Sequence, residues 1–194
     1  MPIMGTPRAK EFVKLLRERV AGKTASHCIF TAEFMSSFAD QAGVTNDQAV
    51  TAGLLHDLCK GLDKAEYLAC AEDYGIPVGE AQRLNPKLLH GPIAAEECRR
   101  DLGVDDEAVY EAIYWHTTGR PELGPVGRAL FLADFAEPTR LFAEAVETRA
   151  LLRREGFESA LLYAARQKVE HVREKRHVDP MTEAFCEWLE CGCG

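Results

Sequence analysis

Six side chains that can bind metal ions lie at the ends of predicted helices or inside apolar stretches of this sequence. They are His27, the adjacent His56 and Asp57 in AGLLHDLCK, His90 in KLLHGP, His116 in AIYWHTTGR and Asp134 in LFLADF. A carboxylate among large apolar residues needs a proton, a cation or hydrogen bonds to tolerate burial. Neutral imidazoles and carboxylates together form a nitrogen and oxygen donor set that suits iron, manganese, zinc or another first-row ion.

These side chains form a metal site only if the fold brings them together at one point; otherwise they are unrelated core residues. A single histidine on an apolar helix face is more often a satisfied core residue than a ligand. Five helices that each carry one or two such side chains can aim them at one point inside a bundle, which is how metal sites in helical bundles are built. We therefore expect a metal centre between helices.

The elements that must position these side chains are predicted to be helices throughout. Apolar residues repeat at spacings of three and four, and no alternating Val/Ile-rich run reaches strand length, which predicts an all-α fold. The predicted helices begin at Thr6-Pro7, at Ser26 (ending at Gly43), at Thr45 (ending near Leu58) and at Asp63 (ending at Gly75), and then cover roughly 91–102, 106–116, 124–135, 139–155, 157–175 and 181–190.

Local signals support these helices. Thr45 followed by Gln48 predicts a capping box. Phe30, Phe34 and Phe38 form a stripe at helical spacing, which we predict to be buried core.

The chain shows no linker and no internal repeat. We therefore expect a single helical domain over residues 1–190 and a flexible tail over residues 191–194. The Gly- and Pro-containing stretch 117–127 is the longest interruption, and either a loop over a site or a plain connection explains it.

Composition and charge exclude several classes of protein. The 194 residues include 23 basic and 31 acidic side chains, so the net charge of −8 disfavours binding to a nucleic-acid polymer. Seven scattered cysteines are typical of reduced thiols. No apolar run approaches the roughly 18 to 20 residues that cross a bilayer. We expect a cytoplasmic protein without membrane or nucleic-acid partners.

The order of the candidate ligands resembles a known enzyme family. His27, then His56-Asp57, then Asp134 is similar to the H…HD…D signature of HD-domain metal-dependent phosphohydrolases. More narrowly, the chain resembles the bacterial YqeK family of symmetrical bis(5'-nucleosyl)-tetraphosphatases over roughly residues 8–190. The motifs that carry this resemblance are HDLCK (56–60), LLHGP (88–92), HTTGR (116–120) and LADFAEPTR (132–140).

The resemblance implies a ligand set and a reaction. One ion, iron in this family, would be held by His27, His56, Asp57 and Asp134. A second would be held by His90 and His116, with Asp57 as the bridge, and manganese or another first-row divalent ion can replace iron. Two such ions can turn a bridging water into hydroxide near neutral pH. The hydroxide would attack a phosphoanhydride of diadenosine tetraphosphate and release two ADP; the symmetry of the cut comes from the family alone.

Further residues are candidates for catalysis or for contacts with the substrate phosphates. Lys60 lies one turn after His56, where its ammonium can neutralise phosphate charge; the alternative is an exposed cation at a helix end. The hydroxyls, backbone N–H groups and guanidinium of residues 117–120 can surround phosphate oxygens. By resemblance Arg140 also contacts phosphate. The complete substrate-binding set is Lys60, His90, His116, Thr117, Thr118, Gly119, Arg120, Asp134 and Arg140, and the catalytic set is Asp57 and Lys60.

Alternatives remain open at the level of the sequence. An HD-domain nucleotidase acting on another nucleotide, or a non-catalytic domain that senses metal or nucleotide, explains many of the same residues. The family also suggests a homodimer. The basic stretch 173–180 departs from the family because it reads Asp-Pro where His-Pro is expected. We therefore predict a solvated helix end for Arg173, Lys175, Arg176 and His177, and we predict His171 to be structural or exposed.

Overall fold

The computed structural model describes residues 6–174 and 179–192. Within these residues there are eleven α-helices, one short 3-10 turn and no strand, so the all-α prediction is confirmed. The helices are α1 (Pro7–Arg19), α2 (Gly22–Ser37), α3 (Asn46–Leu55), α4 (Lys64–Tyr74), α5 (Glu80–Leu84), α6 (His90–Arg100), α7 (Glu107–Trp115), α8 (Pro125–Ala136), α9 (Ala143–Arg154), α10 (Phe157–Glu174) and α11 (Pro180–Glu190), with the 3-10 turn at Pro86–Leu89.

Several helix ends follow the predicted capping signals. The Thr45 side chain accepts the backbone N–H of Gln48, and the Gln48 side chain accepts the N–H of Thr45, so the predicted capping box is confirmed. Asp63 caps α4 in the same way, and Gly75 closes that helix with a φ of 71°, which glycine adopts without strain.

Other predicted boundaries are wrong. Helix α2 begins at Gly22 rather than at Ser26, because Ala25 is buried in the core and the chain before Ser26 stays helical. Helix α3 ends at Leu55, three residues before the predicted end. Helix α9 begins at Ala143 rather than near residue 139. The backbone N–H and the hydroxyl of Thr139 both donate to the Glu137 carboxylate, and this local turn replaces the expected first helical turn.

The predicted phenylalanine stripe is only partly buried. Phe38 is buried and Phe34 is half-buried, but Phe30 is exposed. Residues four apart on a helix drift about 40° around the axis, so three successive positions at that spacing leave one face. The inward face of α2 is carried by Cys28, Ala32 and neighbouring residues instead.

The helices pack around one continuous apolar core. Helices α2 and α3 meet at backbone distance, since a Cβ added at Gly53 would lie 2.5 Å from the Cα of Ala32. This close approach brings the end of α3, with His56 and Asp57, beside His27 on α2. Within the described residues, no helix combines the length and the apolarity that crossing a membrane requires.

Candidate metal centre

The six candidate ligands come from five segments of the chain and meet in the interior. His27 lies on α2, His56 and Asp57 directly follow α3, His90 begins α6, His116 follows α7 and Asp134 lies on α8. His56, Asp57, His90 and His116 are buried, and His27 and Asp134 are largely covered. The structure thus assembles side chains that are separated by more than a hundred positions in the sequence.

Backbone carbonyls fix the orientation of three imidazoles. The Nδ1 atoms of His56, His90 and His116 each bond to the carbonyl oxygen three residues earlier in the chain. A carbonyl oxygen can only accept, so each Nδ1 carries the hydrogen and each Nε2 carries a lone pair. All three Nε2 atoms face the interior of the cluster.

One half of the cluster is built on His27, His56 and Asp134. The Nε2 of His27 lies 2.9 Å from Oδ1 of Asp134 and 3.3 Å from Nε2 of His56. The Nε2 of His56 lies 3.8 Å from the same Asp134 oxygen. These three side chains form one of the groups in the described chain that could hold a metal ion.

The other half is built on His90, His116 and Asp57. The Nε2 atoms of His90 and His116 are 2.9 Å apart, and they lie 3.0 and 3.6 Å from Oδ1 of Asp57. The second oxygen of Asp57, Oδ2, lies 3.6 Å from His56 Nε2 and 3.8 Å from His27 Nε2. Asp57 therefore presents one carboxylate oxygen to each half of the cluster.

The protonation states of the cluster differ from those of free side chains. Burial disfavours the charged form of Asp57 and of Asp134, but the surrounding histidines outweigh it and hold the pKa of both carboxyls well below the usual range. Burial lowers the pKa of His56 to about 3 and also lowers the pKa of His116. For His27 burial is outweighed by the hydrogen bond and charge of Asp134, which raise its pKa.

These donors fit a divalent cation. Neutral imidazoles and ionised carboxylates are the forms that bind metal, and the lone pairs of several Nε2 atoms point at one another. Oδ1 of Asp57 is buried, and no donor in the described part of the chain meets it in hydrogen-bonding geometry. The Cys28 thiol lies near His56 and Asp57, but burial raises its pKa well above the usual range, so it stays a neutral thiol and a poor ligand.

Two of the predicted phosphate-binding cations contact the carboxylates of the cluster. Lys60 Nζ lies 2.6 Å from Asp57 Oδ2, and its side chain is 45% exposed. Arg140 Nη2 lies 3.4 Å from Asp134 Oδ1, and its side chain is 38% exposed. Both cations therefore connect the buried cluster with solvent.

The stretch at 117–120 divides into two parts. Thr117 Oγ1 lies 3.2 Å from Nε2 of His116 and 3.4 Å from Nε2 of His90, so this hydroxyl is part of the cluster. Thr118 donates instead to the carbonyl of Gly119. Arg120 pairs with Glu111 at 2.7 Å. Among the described residues, no hydrogen bond or ion pair joins Thr118 or Arg120 to the cluster.

Gly119 also has a packing reason to be glycine. Its φ is +70°, and a Cβ added there would lie 2.4 Å from Cδ1 of Phe185. Any side chain would therefore strain the backbone and collide with a fully buried ring on α11.

Two residues beside the cluster were missed in the sequence. Glu137 is 1% exposed, and its Oε1 lies 3.3 Å from Nδ1 of His27. Its position three residues after Asp134 could have indicated this role in the sequence, because residues three apart share a helix face.

Lys168 lies 4.4 Å over the ring of Phe131 and donates to the His116 carbonyl at 3.4 Å. Burial lowers the pKa of Lys168. Its sequence context, an amphipathic helix, gave no signal.

A cavity of about 370 Å³ borders the cluster at Asp134. Arg140 and Lys168 contribute cations to its wall, and Phe135 and Phe142 contribute aromatic rings. His171 is exposed, as predicted, and also lines this cavity.

The basic C-terminal stretch is described only in part. Arg173 is exposed and pairs with Glu183 at 2.9 Å, which is consistent with the predicted solvated helix end. Lys175, Arg176 and His177 lie outside the described residues.

The HD domain model matches residues 24–139, a range that includes all six side chains of the cluster. The chain belongs to the HD domain family. HD domains bind divalent metals, and the buried cluster of histidines and aspartates supplies donors for such ions.

Curated relatives and a solved structure agree with this family. Three relatives are each named symmetrical bis(5'-nucleosyl)-tetraphosphatase. The protein from Bacillus subtilis is 26% identical over 184 residues, which is 94% of this chain and 98% of the relative. The one from Halalkalibacterium halodurans is 31% identical over 140 residues (71% and 74%), and the one from Staphylococcus aureus is 27% identical over 150 residues (77% of each).

A crystal structure from Clostridium acetobutylicum shares the fold. It is described as a predicted HD superfamily hydrolase involved in NAD metabolism. The two structures superpose with a TM-score of 0.87 at 26% identity, over 94% of this chain and 97% of the other. This HD-domain fold therefore extends well beyond the matched residues 24–139, over nearly the whole chain.

Proposed function

We propose that the protein hydrolyses diadenosine tetraphosphate symmetrically, with one water consumed and two ADP released. The observation that carries the proposal is the buried cluster in which Asp57 presents one oxygen to His27 and His56 and the other to His90 and His116. The substrate follows from the relatives, three of which carry this activity in their names.

We assign the six cluster side chains as ligands of a two-ion centre. His27, His56 and Asp134 would hold one ion, His90 and His116 the other, and Asp57 both. Divalent ions bound there supply Lewis acidity, which polarises phosphoryl oxygens and activates water. Iron is our choice of metal, and manganese or another first-row ion suits the same donors.

The remaining cations of the site neutralise the phosphate chain. Lys60 and Arg140 reach from the cluster to solvent, where they can bind phosphate oxygens and stabilise the charge that develops on the departing ADP. Lys168 adds a third positive charge in the cavity beside Asp134. The Thr117 hydroxyl can donate to a phosphoryl oxygen at the cluster.

The cavity beside Asp134 is suited to one nucleoside. Its volume of about 370 Å³ lies within the range of small-molecule sites. Phe135 and Phe142 offer aromatic surface for a base, and Arg140 and Lys168 lie where the phosphates attached to that nucleoside would meet the cluster.

The reduced thiols and the absence of a membrane-spanning helix among the described residues agree with action in the cytoplasm. We propose that location for the activity. We also propose that the protein is a homodimer, as the family resemblance implies. Size-exclusion chromatography with light scattering measures the mass of the protein in solution and tests this proposal.

The test is a product analysis under anaerobic conditions. The protein, loaded with Fe²⁺ or Mn²⁺, is incubated with diadenosine tetraphosphate, and the nucleotides are separated by ion exchange. We expect ADP as the sole product and no turnover after chelation or in Asp57→Asn. AMP together with ATP as products would show that the phosphate chain is not cut at its middle. If the metal-loaded protein hydrolysed no nucleotide, the result would favour a non-catalytic domain that senses metal or nucleotide.

A further inference from the structure

A second cavity borders the cluster at Lys60. It measures about 440 Å³ and shares no lining residue with the cavity beside Asp134. Its wall comes from the end of α1, the start of α2, the turn at 58–62, α4 and α6. The function proposed above gives this cavity no role.

Contacting side chains of the cluster run from the wall of one cavity to the wall of the other. Lys60, in the wall of the second cavity, lies 2.6 Å from Oδ2 of Asp57. The same oxygen lies 3.8 Å from His27 Nε2, which in turn lies 2.9 Å from Asp134 in the wall of the first cavity. A chain of phosphates bound along these side chains would extend from one cavity towards the other.

Away from Lys60, the second cavity carries a buried carboxylate, which suits a nucleoside rather than a phosphate. Glu97 lies in its wall with a side chain only 12% exposed, and its carboxylate accepts from Arg19 Nη2 at 2.6 Å and from the Cys59 thiol at 3.3 Å. A largely buried carboxylate repels phosphate, but its remaining lone pairs can accept from ribose hydroxyls or from an exocyclic amine. Leu62 and Ile93 add apolar wall.

We propose that the second cavity binds the second nucleoside of a dinucleoside polyphosphate. This inference rests on the proposed function and deepens it. A symmetrical substrate has a nucleoside at each end, so an enzyme that cuts its middle can use two nucleoside sites, one on each side of the reacting phosphates. The two cavities are of similar volume, and each meets the cluster at a cation, Arg140 in the first and Lys60 in the second.

The test fills the second cavity from its rim. Ala21 is exposed and lies in the cavity wall, so Ala21→Trp adds a large ring there without disturbing the core. Lys23→Trp adds the same ring at an exposed position of α2 outside that wall and serves as the matched control. The full chain loaded with Mn²⁺ is titrated calorimetrically with ADP, and KM is measured for diadenosine tetraphosphate.

We expect two ADP per chain for the wild type and for Lys23→Trp, and one for Ala21→Trp. We also expect Ala21→Trp to raise KM by about tenfold or more with unchanged metal content. One ADP per wild-type chain, or equal KM values for the two tryptophan variants, would overturn the second site. Two ADP per chain without hydrolysis would remove the proposed function and leave the second site standing.

Glu97→Gln gives a second measurement that does not depend on the bulky variant. The amide keeps the size of the side chain but can no longer accept on both oxygens. We expect weaker binding of one of the two ADP molecules and an unchanged affinity for the other. Equal weakening at both sites, or no change, contradicts the assignment of Glu97 to a nucleoside.

Discussion

The Nε2 atoms of His90 and His116 face each other at 2.9 Å, although the Nδ1 atom of each ring already bonds to a backbone carbonyl. In that tautomer both Nε2 atoms carry lone pairs, so the contact between them is repulsive. A cation that accepts both lone pairs turns the repulsion into coordination. This pair explains why the cluster is better understood as a metal centre than as a hydrogen-bonded core.

Glu137 positions the His27 ligand. Its carboxylate accepts from His27 on one side and from the Thr139 N–H on the other, and a glutamine amide can accept on only one of its two terminal atoms. We expect Glu137→Gln to lower metal affinity by roughly 10- to 100-fold, as measured by competition with a chromophoric chelator. Glu33→Gln, on the exposed face of the same helix as His27, is the control. Equal affinities in the two variants would contradict the role of Glu137.

Substitution of Gly119 distinguishes a role in packing from a role in substrate binding. Gly119→Ala places a Cβ 2.4 Å from the Phe185 ring at a φ of +70°, and we expect a loss of about 2 to 4 kcal/mol of unfolding free energy. Gly124→Ala, where a Cβ has open space, should be close to neutral. Urea denaturation measures the free energy of unfolding of both variants. A stable Gly119→Ala protein with a raised KM would show instead that the backbone there serves the substrate.

The sequence predicted the parts of the site that have local signals. His56, His90 and His116 each stand at a helix end beside apolar residues, and their order with His27 and Asp134 matched a family pattern. The capping box at Thr45 was predicted for the same reason, since capping depends on residues three positions apart.

What the sequence did not predict depends on contacts between distant segments. Lys168 joins the site because α10 packs on α8 and carries its ammonium over Phe131. Arg120 follows a candidate ligand in the sequence, yet it pairs with Glu111 on α7. The direction in which a side chain points from a loop is set by tertiary packing, which spacing alone does not encode.

Metal binding is expected to depend on pH through His27. The pKa of His27 is raised from 6.5 by Asp134 despite burial, so the metal-free site holds a proton there that a metal ion must displace. Affinity for Mn²⁺ should therefore rise by about tenfold per pH unit below the His27 pKa and level off above it. Calorimetry in two buffers of different ionisation enthalpy counts the released proton. Binding that is independent of pH between about 6 and 8 would contradict this account.

Lys168 is expected to act on substrate binding and not on the metal. Its ammonium lies in the wall of the cavity beside Asp134, where it can bind a phosphate oxygen. Lys168→Gln should raise KM for diadenosine tetraphosphate by about tenfold and leave metal content unchanged. Arg166→Gln on the same helix, at an exposed position, is the matched control. A loss of metal in Lys168→Gln would assign the residue to the packing of the cluster.

The central claim is the hydrolytic cut at the middle of the phosphate chain, and isotope transfer from water tests it most directly. The metal-loaded protein is incubated with diadenosine tetraphosphate in water enriched in oxygen-18, and the masses of the products are measured by mass spectrometry. We predict ADP alone, with one labelled oxygen on the terminal phosphate of half of the molecules. Labelled AMP or ATP, or ADP without label, would contradict the account.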